Sequence, residues 1–563
     1  MTAEVSVGRK IQLAATGLLL FGAVVRIVGF LQNASLSGDE AMLALSIGTR
    51  TLRGLLRPLD YGQVATIPFL WAERWITYAF GVSAYTLRIP TLVAGIALLW
   101  VLFRLARDLL GPVGAVVALA LAAASFPLIR YSVEIKPYIL DSLVAAGLIW
   151  LTIRLIDRLD DRRLWLALVT GGIFAVLLSA PALLVCGAII LALSVVALRR
   201  RRWRLILWLS LLGVLWAGIF AAAYVSWYAP NAEAPYMRAF WAEAFITPGS
   251  PRFFPRLWRS LGDLSCTLTC WRGLLDTSPL LLLLGAIGSI HLVRRKGPEY
   301  SILLTVPILA AFSASAVGKY PIATRLVLFS APLLAILVAT GAVVLAKAAE
   351  RAWPRIRARW LLLALVYPSL LLAATLALAP PKDWGFRGVE VRPLAEEYLK
   401  SAGKDPVYIF PRAVPAWVFH TTNWSAPDTA RLRWVATVAG PTGLGFVNGP
   451  TRGPRPLGEG ATLAYTSNGR TELFGTSTGA QGRVGVGYSP PRPDPGWAES
   501  EAWRIRSAAR PYIWIVLSDY AHGPLDERTI LLNAVRDAGG AIVHTEAAAD
   551  AVLYRIRFPP VPR

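Results

Sequence analysis

Ile11–Leu31 (IQLAATGLLLFGAVVRIVGFL) is an apolar run with a single charge, Arg26, and Leu36-Ser37-Gly38-Asp39-Glu40-Ala41-Met42 follows close behind it. The run has the length of a helix that crosses a bilayer. Arg9 and Lys10 precede it, the start of a signal anchor with a cytoplasmic N-terminus. It is too long for a cleaved signal, and no small-residue cleavage site follows. Two adjacent carboxylates at the mouth of a membrane helix are costly to place there and mark substrate paths or chemistry. The plainer reading has Asp39 capping a helix that begins at Ala41.

Comparable runs recur as far as Ala379. Hydrophobic residues make up 55 % of the chain, charged residues 16 %, and the mean hydropathy is +0.53. Run lengths and flanking charges give about eleven spans. The fold class is therefore an all-α polytopic membrane protein with interfacial helices and a small C-terminal α/β soluble domain. The net charge of +23 does not point to nucleic acid, because the basic clusters abut apolar runs. Arg199–Arg204, Arg294-Arg295-Lys296 and the cluster from Arg351 to Arg359 read as cytoplasmic anchors. Of the three cysteines, Cys186 lies in an apolar run, whereas Cys266 and Cys270 fall in an outer loop where a bridge could persist. The four histidines are scattered, which argues against zinc.

With the N-terminus inside, alternation of the spans places three separated turns on the outer face. The first holds Asp39 and Glu40. The second is Arg130-Tyr131-Ser132-Val133-Glu134-Ile135-Lys136-Pro137-Tyr138, and the third runs from Gly318 through Lys319, Tyr320 and Pro321 to Arg325. Ala41–Leu56 and Val64–Phe80 read as amphipathic helices resting at the interface. A long outer loop, about Ser226 to Asp276, is rich in Trp, Tyr, Pro and Arg. Its Trp227, Tyr228, Tyr236 and Trp241 suit an aromatic belt better than a sugar platform. Beyond Pro380 the composition changes, giving a membrane domain over 1–380 and an extracytoplasmic domain over 381–563. Val407–Phe410, Tyr512–Leu517, Ile542–Thr545 and Ala551–Ile556 read as strands, and Asp526–Ala538 as a helix ending at Gly539-Gly540. The Gly- and Pro-rich stretch from Gly440 to Pro495 reads as loop or weakly paired strand.

Carboxylates beside cations at a lipid surface suit cleavage of an anionic lipid headgroup. If the donor is a sugar on a polyprenyl phosphate, the leaving phosphate is already a stable anion. One carboxylate then suffices as base for the acceptor hydroxyl, and cations hold the phosphate. Glycoside hydrolysis differs, because its leaving alkoxide demands a second carboxyl group. Asp39 and Glu134 would also suit Mg²⁺ or Mn²⁺, so metal use stays open, and no other cofactor is indicated. Glu134 could instead pair structurally with Lys136 or Arg130, and Lys319 and Arg325 could serve as interfacial anchors.

Arg26, Gly38-Asp39-Glu40, the stretch from Gln63 to Leu70, Leu87-Arg88-Ile89-Pro90, Tyr131–Tyr138 and Tyr320–Arg325 occur in that order. Together they resemble the protein-mannosyltransferase-like membrane enzymes of glycosyltransferase family 39, to which the bacterial lipid A aminoarabinose transferases are related. The resemblance covers about residues 10 to 380. It implies a C-type glycosyltransferase fold and a polyprenyl-phosphate sugar donor, usually with inversion. It implies Asp39 as the base, Glu40 as its companion and Glu134 as a second acidic position. Arg26, Arg88, Lys136, Lys319 and Arg325 are the candidate cations for the donor phosphate, and Gln63, Tyr131, Tyr138 and Tyr320 the candidates for lining the substrate. The sequence departs from the pattern at Ala65-Thr66-Ile67-Pro68, where relatives often carry Lys or His before a Pro-Pro pair.

The expectation is an integral glycosyltransferase of the bacterial inner membrane with its site and C-terminal domain on the periplasmic side. It would move one sugar to a glycan, lipid or protein acceptor. A flippase of lipid-linked saccharides would place its charges near the midplane of inverted repeats, which the sequence does not show. A non-catalytic cell-envelope scaffold would tolerate loss of Asp39.

Overall fold

The computed structural model describes residues 2–269, 277–378, 389–402, 405–410, 413–429, 432, 463–467, 470–474, 484–486, 495–509, 511–518 and 527–559. Cys270 and most of the stretch 440–495 lie outside these residues, so the Cys266–Cys270 pair is not described.

The first half of the chain comprises α1 (Thr2–Leu31), α2 (Gly38–Thr49), α3 (Ile67–Phe80), α4 (Ile89–Ala124), α5 (Phe126–Arg130), α6 (Tyr138–Asp157), α7 (Arg162–Leu178) and α8 (Ala182–Arg199). The rest of the helical part comprises α9 (Trp203–Ala223), α10 (Ala229–Ala232), α11 (Pro235–Phe240), α12 (Phe253–Cys266), α13 (Ser278–Arg295), α14 (Pro298–Ala316), α15 (Ala331–Ala352) and α16 (Ala358–Leu378). Among the described residues, nine helical stretches are long and apolar enough to cross a membrane. One of them, containing α4, is a hairpin. Gly111 sits at φ 75° before Pro112, and Leu99 and Ala123 both come within 4 Å of a Cβ built on Gly22. A straight helix would separate residues 99 and 123 by about 36 Å. Splitting α4 at Gly111 and adding the 17-residue α7 accounts for the eleven spans read from the sequence.

The tightest packing in the bundle is between α13 and α15. A Cβ on Gly288 would lie 2.0 Å from the Leu337 carbonyl oxygen, and one on Gly341 would lie 2.0 Å from that of Leu284. Both obstacles are backbone, so no side chain can give way. Small residues at such crossings let membrane helices approach without a hydrophobic drive. Gly341→Val is expected to force the pair apart, costing about 1–3 kcal/mol or more. A thermal melt in detergent should show a lowered midpoint, with Gly17→Val as control because nothing lies within 4 Å of Gly17.

Beyond the bundle come α17 (Arg392–Ser401), β1 (Val407–Ile409), α18 (Val414–Thr421), β2 (Leu463–Ser467), β3 (Arg470–Phe474), β4 (Val484–Val486), β5 (Tyr512–Ser518), β6 (Ala541–Ala548) and β7 (Ala551–Arg557). Helices Pro495–Ala508 and Glu527–Asp537 flank β5 in sequence. The main sheet has strand order β4-β1-β5-β7-β6, with β2 and β3 forming a separate hairpin. β4, β1 and β5 run parallel, while β7 is antiparallel to both β5 and β6. Alternate side chains serve two cores, as the period of two along a strand requires. Tyr408, Ile513, Ile515, Leu517, Val552, Tyr554 and Ile556 pack with the helices Pro495–Ala508 and Glu527–Asp537. Val407, Ile409, Trp514, Val516, Ala551 and Leu553 face the other way, into a core shared with α17, α18, α2 and α3.

That shared core corrects one expectation. α2 is not a helix lying at the lipid interface, because Glu40 through Thr49 are all buried. The C-terminal region covers the face that the sequence leaves free, and a Cβ on Gly48 would meet the Trp424 ring at 2.6 Å. α3 keeps an open aromatic face at Trp75, Tyr78 and Phe80, in line with an interfacial position.

Candidate active site

The turn before α2 folds as a capping box. Ser37 Oγ accepts the Glu40 N–H, while the Glu40 carboxylate accepts the Ser37 N–H at 3.0 Å. Ser37, not Asp39, is thus the cap, and the helix begins at Gly38. Asp39 stands in the first turn with its side chain free to face outward. Acidic residues suit this end of a helix, where the backbone N–H groups lack intrahelical partners.

Three sequence-distant turns meet around it. Arg325 donates to Asp39 Oδ2 at 3.0 Å. The Arg325 guanidinium also lies over the Trp241 ring, 4.9 Å from its centroid. Ile135 N–H donates to Glu40 Oε1 at 3.0 Å, joining the second turn to the first. Lys136 donates to Gln63 Oε1 at 2.8 Å, and its charge acts on Asp39. Tyr131 and Tyr138 meet edge to face at 5.2 Å. The third turn is fixed by Ile322 N–H donating to Ala244 O, by the Tyr320 hydroxyl donating to Leu326 O, and by Thr324 donating to Asp263.

The three carboxylates have different surroundings. Glu40 is 3 % exposed and held by Arg88 at 3.1 Å, with Ile135 and Ser37 donating to its oxygens. Every one of these partners belongs to the protein scaffold, so Glu40 holds the turns together and presents no free edge to a substrate. Glu134 is 15 % exposed and accepts from Arg130 Nε. Burial pushes its carboxyl above the usual range, Arg130 pulls it back, and Glu40 raises it further. Asp39 is the open one, with its side chain 43 % exposed. Lys136 holds the Asp39 carboxyl below the usual range; partial burial opposes this and Arg325 assists. Lys136 itself is lowered by burial, with Asp39 resisting.

Two expected phosphate ligands are placed elsewhere. Arg26 is fully buried in α1 and donates to Ser132 Oγ, Gly22 O and Ala122 O. It neither reaches the surface nor faces an anion, and it ties α1 to the second turn. Arg88 is 4 % exposed and spends its donors on Glu40, Ala34 O and Ser35 O. Its guanidinium is the counter-ion of Glu40 and has no edge to offer a donor phosphate. Lys319 is exposed on the third turn. That leaves Lys136 and Arg325 as the cations acting on Asp39.

A small cleft lies beside this cluster, lined by Arg57, Gln63, Ile67, Trp227, Tyr228 and Asn231 among others. Asn231 fastens it by donating to Leu59 O and Gln63 O, and the Ile67 N–H donates to the Tyr228 hydroxyl. Two of the four outer aromatics thus line a cavity, and Trp241 stacks on Arg325. Sequence reading misses this because ring partners several loops away carry no local signal. Asp141, buried one turn into α6 beneath Tyr138, is a further acidic residue near the cluster. Its signal was an ionisable group inside an apolar run. Asp39 and Glu134, the pair suited to Mg²⁺ or Mn²⁺, each face an arginine. Among the described residues no three His, Cys, Asp or Glu side chains gather as a metal set.

The model of the family described as dolichyl-phosphate-mannose-protein mannosyltransferase matches residues 65–227. That block holds Arg88, Glu134 and Lys136 but neither Asp39 nor Arg325. A comparison with curated proteins finds no match. ArnT from Cupriavidus metallidurans bound to undecaprenyl phosphate aligns with a TM-score of 0.51 at 15 % identity, over 96 % of this chain and 98 % of that one. The Archaeoglobus fulgidus oligosaccharyltransferase in complex with zinc and sulfate gives a TM-score of 0.44 at 12 % identity over 71 % of this chain. This chain spans 61 % of the length of that oligosaccharyltransferase. The chain is thus similar in sequence to the dolichyl-phosphate-mannose-protein mannosyltransferase family over residues 65–227 and in fold to ArnT along nearly its whole length, and its fold is the C-type glycosyltransferase fold.

Proposed function

We propose that this protein is a membrane glycosyltransferase that moves one sugar from a polyprenyl-phosphate donor to an acceptor hydroxyl, with Asp39 as the base. One observation carries the reading: an open carboxylate stands between two cations, Lys136 and Arg325, where three separate turns converge. The sequence and fold similarities support the donor class. The acceptor oxygen attacks the anomeric carbon as the carbon–phosphate oxygen bond breaks. The bonding pair leaves with the phosphate, and the acceptor proton passes to Asp39. A single displacement of this kind inverts the anomeric centre. A weakly basic carboxylate suffices, because an oxocarbenium-like centre makes the attacking hydroxyl acidic late in the step. Lys136 and the unshared edge of Arg325 hold the phosphate, with Lys319 adding charge at the rim.

The dense basic clusters lie at the opposite helix ends from Asp39, which by the positive-inside rule supports a site on the outer face and an N-terminus in the cytoplasm. With an undecaprenyl-type carrier, the location is the bacterial inner membrane with the site open to the periplasm. Glycan, lipid and protein hydroxyls all fit this chemistry as acceptors.

Lys136 gives the test. Burial lowers its pKa, so the ammonium is lost as pH rises through a value below the usual lysine range, and activity should fall there. Lys136→Arg should move that alkaline limb upward, since a guanidinium stays charged. Lys136→Met should raise the donor KM by about 10- to 100-fold, the worth of a hydrogen bond to a charged group. Identical pH profiles and donor KM in all three proteins would remove Lys136 from the phosphate site.

A further inference from the structure

We propose that the C-terminal domain is part of the catalytic apparatus: Glu390 and His420 are positioning residues that clamp Ser35 and Leu36 and so aim Asp39. The inference rests on the reading of Asp39 as the base.

The segment between α1 and α2 has no regular secondary structure. Its backbone groups must therefore find partners elsewhere. They are divided between two parts of the chain. From the membrane part, Arg88 donates to the carbonyls of Ala34 at 2.8 Å and Ser35 at 3.5 Å. From the C-terminal part, Glu390 accepts the Ser35 N–H at 3.2 and 3.3 Å and the Ser35 hydroxyl at 2.8 Å. The same hydroxyl accepts the Arg392 N–H at 2.9 Å. One residue on, the Leu36 N–H donates to His420 Nε2 at 3.4 Å. Ser37, the cap that fixes Glu40 and leaves Asp39 outward, comes next.

The clamp is rooted in the C-terminal fold. Glu390 N–H donates to Ala549 O in the β6–β7 turn, and His420 lies in α18, which packs on α2. Ser35 and Glu390 are 4 % and 8 % exposed, so water does not compete for these bonds. For Nε2 to accept an N–H, His420 must be neutral. Burial holds it so, helped by the cations Arg392 and Arg88 beside it, and its pKa is pushed down to about 3. Displacing a reacting group by about 1 Å can cost 10²-fold in rate. A clamp three and four residues from the base controls a displacement on that scale.

The test compares the full-length wild type with Glu390→Gln, His420→Leu, His420→Gln and Asp39→Asn in one transfer assay. Glu390→Gln and His420→Leu should lower kcat by about 10- to 100-fold while the donor KM stays near the wild-type value. Their acid limb should rise toward the ordinary carboxylate range, because Asp39 no longer keeps its place between Lys136 and Arg325. A merely structural role would not move that limb. His420→Gln keeps a neutral acceptor and should recover most of kcat. Amide exchange over residues 34–37 should quicken in Glu390→Gln and His420→Leu and not in His420→Gln. If His420→Leu does not fold, Glu390→Gln and His420→Gln carry the comparison. Unchanged kcat, acid limb and exchange in the clamp variants, beside an inactive Asp39→Asn, would overturn the clamp alone. An active Asp39→Asn would instead overturn the base, and the positioning role with it.

Discussion

Asp39→Asn should lower sugar transfer by about 10²- to 10⁴-fold, the usual worth of general acid–base catalysis, while the donor still binds. The amide keeps the shape and can still accept from Arg325 but cannot take a proton. Of the three carboxylates at the convergence, Asp39 alone combines exposure with a surrounding that keeps it ionised. Glu40 is buried among its own donors, and Glu134 is pushed toward the neutral form by burial while paired to Arg130. Glu134→Gln should therefore act mainly on the second turn, with a smaller loss of kcat than Asp39→Asn. The measurement is kcat and donor KM for both variants in the same proteoliposomes. A larger loss in Glu134→Gln would reassign the base.

Arg88→Ala should be the most destabilising of the site substitutions, by about 3–5 kcal/mol. Removing the guanidinium leaves Glu40 buried at 3 % exposure with only two backbone N–H donors, Ser37 and Ile135. It also frees the carbonyls of Ala34 and Ser35. A buried charge without its counter-ion costs far more than the pair contributes when intact. Glu40→Gln should destabilise as well, because it leaves the Arg88 guanidinium buried at 4 % exposure without its counter-ion. The check is a thermal melt in detergent, with exposed Lys400→Ala as the reference. An Arg88→Ala protein that folds like the wild type and shows only a raised donor KM would restore Arg88 to the phosphate site.

The membrane fold was legible because bilayer thickness writes itself into run lengths and the basic clusters mark one side. The β1, β5 and β7 strands were legible for a related reason, since strands buried on both faces read as continuous apolar runs. The meeting of the Asp39, Lys136 and Arg325 turns followed from alternation of the spans alone. The roles of individual charges did not. Arg26 and Arg88 look identical to phosphate ligands in a sequence, and only the carbonyls and carboxylate around them show that they are internal ties. Glu40 and Asp39 are neighbours, and the capping box decides which one turns inward. The burial of α2 was hidden as well, because its second partner comes from α18, more than 360 residues downstream.

The most direct test is transfer of labelled sugar from a panel of polyprenyl-phosphate donors in proteoliposomes, with wild type and Asp39→Asn side by side. The expected result is an inverted glycoside and free polyprenyl phosphate from the wild type with at least one donor, and neither product from the variant. Equal turnover in both proteins, or movement of labelled lipid across the bilayer without any transfer, would contradict it.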